Sequence, residues 1–257
     1  MGVTAPFCPK AILRKLGNLG ATPALAVSGG MEALDAALRG QDVDAAVSAF
    51  NELSETQAPI DPRLLAALAN LCARNRKNAD AWRAYEAGCA AAKGVKALCT
   101  CGLDMNALLY AMCRESTLHS HAETVWLKMR ALKLSPDKPP LQKFIHALIS
   151  LRKFELAFEV FLCAIDAQLK LDPDTSAPLI EACIQHRPDL AQSAYAVFLT
   201  MRQAGEHIPG ALCTALAKAC AAEGTYDQAL DAHKAAVDAG ETLESDLASE
   251  LARRPPH

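Results

Sequence analysis

Six times along the chain an alanine is followed four residues later by a ring: Ala46/Phe50, Ala81/Tyr85, Ala122/Trp126, Ala157/Phe161, Ala194/Phe198 and Ala229/His233. Successive alanines are 35, 41, 35, 37 and 35 residues apart. Residues at i and i+4 share one helix face, one turn apart. Each occurrence therefore offers a small contact point, where a neighbouring helix can come close, and a ring to fill the space beside it. Ahead of each pair after the first lies another apolar-periodic segment: Leu64/Leu68/Leu71, Leu108/Leu109/Met112, Phe144/Ile145/Leu148, Leu179/Ile180/Cys183 and Leu216/Ala217/Cys220. Between units stand turn signals, Ile60-Asp61-Pro62, Ser135-Pro136-Asp137, Asp172-Pro173-Asp174 and Ile208-Pro209-Gly210. Proline cannot continue a helix, and Asp accepts the first free amides of the next one. Two helices per unit at a period of 20–50 residues describe an α-solenoid. One hairpin cannot bury its own apolar face, so stability comes from stacking.

The expected architecture is all-α, an α-solenoid of about six two-helix repeats over residues 30–257, preceded by an extension over residues 1–29. The repeat over residues 30–61 has the weakest first helix. The 41-residue step predicts a longer loop at residues 93–100, and residues 246–253 predict a lone capping helix before Pro255-Pro256. Composition agrees: the chain is 51% apolar but only 5% aromatic, so its core is built from small side chains packed at close range. No run reaches the roughly 18–20 apolar residues of a membrane span. Ten cysteines at irregular spacing read as free thiols of a reducing compartment rather than a disulfide framework.

Residues 1–30 carry Lys10, Arg14 and Lys15 and no acid. Such a start reads either as a mitochondrial or plastid transit segment or as an ordinary tail. Pro6 stands where myristoylation needs Ser or Thr.

The unit ending at Asp137 resembles a pentatricopeptide repeat. The resemblance rests on Asn106 early in its first helix, Met112-Cys113-Arg114 closing that helix, and the final Pro136-Asp137. Residues 138–174 and 175–210 resemble the pattern with one or two added residues, and the other units more loosely. The tetratricopeptide pattern, with its Trp, Leu-Gly and Tyr on the first helix, fits less well. The resemblance implies a right-handed solenoid that binds single-stranded RNA in an organelle, one base per repeat, read by a residue early in the first helix and the last residue of the repeat. Carried over, it pairs Asn106 with Asp137, a combination that favours uracil in the family, and Gln142 with Asp174. Thr214 has no matching Pro-Asp near Glu244, and Ala177 and Leu65 supply no polar side chain for their repeats.

The net charge of −3 does not suit a protein coated by nucleic acid. Residues 128–153, however, hold seven cations (Lys128, Arg130, Lys133, Lys138, Lys143, Arg152, Lys153) against the single acid Asp137. Such a block serves phosphates, an acidic protein partner, or only a solvated surface. His121-Ala122-Glu123 has the His-x-Glu spacing of zinc deaminases, but no Pro-Cys-x-x-Cys follows. Cys89, Cys99, Cys101, Cys113 and His119 contain no Cys-x-x-Cys pair, and Cys72, Cys113, Cys183 and Cys220 recur where first helices end, as small core residues do. No phosphate loop or nucleophile elbow is present. No catalytic residue, metal or cofactor is expected. Two functions remain: an organellar factor holding single-stranded RNA, or a structural subunit of a large organellar assembly, such as the mitochondrial ribosome, in contact with rRNA and other protein subunits.

Overall fold

A computed structural model of the chain describes residues 23–241. The extension up to residue 22 and the expected cap at residues 246–253 lie outside the described residues. Those described form thirteen α-helices and two short 3-10 helices, with no strand. None of the helices is long and apolar enough to cross a membrane. The chain divides into two compact units, Met1–Asp104 and Met105–His257.

In the first unit, α1 (Pro23–Gly40) pairs with α2 (Val43–Glu55), and α3 (Pro62–Arg74) with α4 (Asn78–Ala91). α1 thus begins ahead of residue 30. In this unit the turn aspartates cap as their residue type predicts, whereas Asp137 and Asp172 further on make no capping hydrogen bond. The Asp42 carboxylate accepts the Ala45 N–H at 3.0 Å, and that of Asp61 accepts the Arg63 N–H at 2.8 Å ahead of Pro62. Residues 93–100, expected as a loop, instead carry a further helix, α5 (Val95–Thr100). Its buried Leu98 seats against Gly88 of α4, where a Cβ would stand 2.8 Å from a Leu98 methyl. An apolar residue that finds such a slot turns a long connection into packed structure, which local pattern over six residues does not reveal.

The second unit holds four hairpins. α6 (Met105–Met112) pairs with α7 (His119–Ala131), α8 (Lys138–Ser150) with α9 (Phe154–Asp166), α10 (Pro173–His186) with α11 (Ala191–Gln203), and α12 (Gly210–Ala222) with α13 (Tyr226–Asp238). First helices pack in order, α6 on α8, α8 on α10, α10 on α12, while α7, α9 and α11 each cover their own partner and the next first helix. All six marker alanines are fully buried, on second helices. Five of the rings are buried with them; Trp126, for one, lies 5.7 Å from Phe144 of the following hairpin. His233, in the last hairpin, is half-buried.

Surface ties repeat the same period. Arg130–Glu159, Lys153–Glu123, Arg187–Glu155 and Arg202–Asp231 each join one second helix, or the turn leading into it, to the next. They are exposed and add little stability individually, but they mark the register. Nine free cysteines lie among the described residues, with Cys72, Cys113, Cys183, Cys213 and Cys220 buried. Burial pushes the thiols of Cys72 and Cys113 up to about 12.

Candidate nucleic-acid interface

The second unit presents its first helices side by side, and one edge of that face is formed by the turns leading into α8, α10 and α12. Asn106 stands at the second position of α6. Its carboxamide Oδ1 accepts the Asp137 N–H at 2.9 Å and its Nδ2 donates to the Ser135 carbonyl at 3.4 Å. Two positions 31 residues apart are thereby joined. The Asp137 carboxylate, just ahead of α8, is exposed and makes no capping hydrogen bond. Asn106 keeps one N–H and one acceptor lone pair for a ligand.

One repeat on, Gln142 is half-exposed on α8, and its partner is Asp172 rather than Asp174. Asp172 immediately precedes α10, as Asp137 precedes α8, and Lys138 binds its carboxylate at 2.6 Å. Hydrogen bonds from Lys138 and Gln142 hold that carboxyl below the usual range. Asp174 lies inside α10, facing the grooves on either side. Pairing by the distance from Leu179, the counterpart of Phe144, would have found Asp172; the double Asp of Asp172-Pro173-Asp174 obscured it. Thr214 is half-buried and turns its hydroxyl back to the Gly210 carbonyl at 3.1 Å. The end of its repeat, near Glu244, lies outside the described residues. Ala177 sits in the corresponding place on α10, half-exposed and without a polar group.

In the first unit, Leu65 is a core residue, 1% exposed, and the buried Ala66 occupies the counterpart of Asn106. One turn further along α3, Asn70 does what Asn106 does: its Nδ2 donates to the Gly102 carbonyl at 2.8 Å, and its Oδ1 accepts the Asp104 N–H at 2.9 Å. Sequence pattern missed Asn70 because the inserted α5 moves the end of that repeat by one helical turn.

The basic block does not form one patch. Lys128 and Arg130 are on α7, in the second-helix layer; Lys133 follows that helix, and Lys138 and Lys143 are on α8. Arg130, Lys138 and Lys153 are paired with Glu159, Asp172 and Glu123, acids outside the block. The excess of six expected from counting is therefore smaller in the fold, because helix stacking brings those carboxylates in. Lys128, Lys133, Lys143 and Arg152 make no ion pair among the described residues. Lys143 lines a groove between α8 and α10 with Gln142, His146, Asp172 and Thr175. The ring Nε2 of His146 lies 3.4 Å from the Thr175 hydroxyl. Partial burial, then the charge of Lys143, hold the His146 pKa below the ordinary 6.5, so the imidazole is neutral at pH 7. Neither the order of residues nor their charge pointed to His146.

Glu123, half of the His-x-Glu spacing, is held by Lys153. Among the described residues no group of three or more His, Cys, Asp or Glu side chains is placed to hold a metal.

Residues 105–236 match the family model described as pentatricopeptide repeat-containing protein. This span falls within the second unit. No curated protein sequence matches the chain. Among solved structures, nuclear proteinaceous RNase P 2 from Arabidopsis thaliana is 17% identical with a TM-score of 0.51, over 73% of this chain and 41% of that one. The pentatricopeptide domain of protein-only RNase P 1 from the same plant, solved with tRNA, is 17% identical with a TM-score of 0.47, over 75% and 97%. The pentatricopeptide repeat protein PPR10 from maize is 15% identical with a TM-score of 0.39, over 95% and 41%. The alignment takes in about two fifths of the length of RNase P 2 and of PPR10. At such identity, the likeness to RNase P 2 shows the fold alone.

Proposed function

This chain belongs to the pentatricopeptide repeat family, and from that premise we propose that it holds a short single strand of RNA along the first-helix face of its second unit, without chemistry of its own. The observation that carries this reading is the Asn106–Asp137 junction, which sets an amide and a carboxylate at one edge of adjoining first helices. Gln142 and Lys143 continue the same face on α8. In this reading Asn106 and Asp137 address one base and Gln142 with Asp172 the next, while Lys143 and Lys133 meet phosphates. Ala177 and Thr214 add no outward polar contact, so sequence preference is confined to a couple of bases at about 1–3 kcal/mol each.

Binding of fluorescein-labelled oligouridylate and oligoadenylate to the full chain, read by anisotropy at two salt concentrations, tests this. Uridylate is expected to bind more tightly, with affinity falling as salt rises, and Asn106→Ala and Lys143→Glu are each expected to weaken it. Equal affinity for both polymers, unchanged by either substitution, would remove RNA from this face. The acid-free basic start with Lys10, Arg14 and Lys15 supports a mitochondrial or plastid location, tested by whether residues 1–30 carry a fluorescent protein into an organelle.

The net charge of −3 and the pairing of three cations of the basic block favour a second reading, a structural subunit of a large organellar assembly. Co-sedimentation of the native protein with ribosomal particles tests it; recovery only as free protein counts against it.

A further inference from the structure

A groove of about 900 Å³ lies at the other end of the same helix row, between α10 and α12. Its floor is apolar, built from Ala177, Pro178, Leu212 and Ala215. Its carboxylates are Asp174 and Glu181, His207 is the one basic side chain of the lining, and no Lys or Arg lines it. Among the described residues neither acid makes an ion pair, and Glu181 receives only the Gln185 side-chain N–H, at 2.9 Å. Pro178 sits inside α10 and has no N–H to give to the Asp174 carbonyl.

We infer that this groove receives a basic, amphipathic helical segment of a partner protein. The small floor residues admit Leu-sized side chains, as a helix docking in a groove requires. The two carboxylates supply acceptors for Lys or Arg at its rim. A phosphate backbone meets two carboxylates there and no Lys or Arg, which disfavours RNA as the occupant. Ala177, which makes its repeat a poor reader of bases, leaves the floor smooth for apolar side chains. The site lies beyond the contacts of the RNA reading, which rests on α6, α8 and Asp172 ahead of α10.

The probe is a fluorescein-labelled helical peptide of about 18 residues with leucines on one face and Lys and Arg beside them. A second peptide has the same composition with its leucines dispersed. Saturable binding of the first to the full chain is expected, weaker at high salt, with little binding of the second. Glu181→Lys, at an exposed position, and Ala215→Arg, which fills the floor, are each expected to weaken binding about tenfold. If Ala215→Arg fails to fold, as judged by circular dichroism, the charge reversal alone decides. Equal binding of both peptides overturns the inference, and so does an affinity unmoved by Glu181→Lys. So does displacement of the peptide by oligouridylate with loss of RNA binding in the same variants, which would assign the groove to RNA.

Discussion

Ala157 and Phe161 show what the marker pair accomplishes at the scale of one residue. Both are buried, at 0% and 1% exposure, and the alanine lies where a second helix meets its neighbours. Ala157→Leu is expected to destabilise the fold by about 1–3 kcal/mol through overpacking, although leucine is a good helix former; chemical denaturation measures it. His146 makes the complementary point about polar residues. Its folded pKa lies below 6.5, so the folded state binds fewer protons than the unfolded one through that range. Its contribution to stability is complete above pH 6.5 and is lost as pH falls through the lowered folded value. His146→Gln is expected to flatten the loss of stability between pH 7 and 5, as read from denaturation midpoints. The pattern named Asn106 as a site residue but gave no site role to His146 or to Asp172, which it read only as a turn signal. A face-forming position follows from spacing, whereas a partner 30 residues away depends on how hairpins stack.

Helix ends show the next scale. α7, α9 and α11 close with paired hydrogen bonds, as where the Leu134 N–H reaches the Met129 carbonyl at 3.0 Å and the Lys133 N–H that of Arg130 at 3.0 Å. This closure needs a left-handed residue, and Lys133, Arg152 and Gln168 take φ values of +54°, +57° and +56° where Gly205 and Gly224 do so at other ends. Gln168→Gly is expected to raise stability by about 1 kcal/mol by relieving that conformation, seen as a higher denaturation midpoint. The proline and aspartate punctuation was legible in the sequence; these caps were not, since Lys, Arg and Gln carry no turn signature. The inserted α5 is the converse case. Leu98→Ala is expected to cost about 2–5 kcal/mol and to speed amide exchange across Val95–Thr100, because Leu98 is the buried anchor of that helix.

For the molecule as a whole, each hairpin of the second unit is supported chiefly by its neighbours along the row. Stability in such an array is a sum of nearest-neighbour terms. Native-state hydrogen exchange is therefore expected to show the strongest protection in α8–α11 and progressively less through α12 and α13, where the last ring, His233, is only half-buried; uniform protection from α6 to α13 would contradict this. The spacing of alanine and ring determined by itself that the chain is helical, how its hairpins are counted, and which residues form the core, because a period of one unit requires one contact geometry to recur. Only the tertiary structure decided which charges remain unpaired, that Asp172 partners Gln142, and that Asn70 ties α3 to the end of its repeat as Asn106 ties α6. Those outcomes depend on distances between hairpins, and the 41-residue step and the added residues of single repeats alter such distances without disturbing the pattern that builds each one.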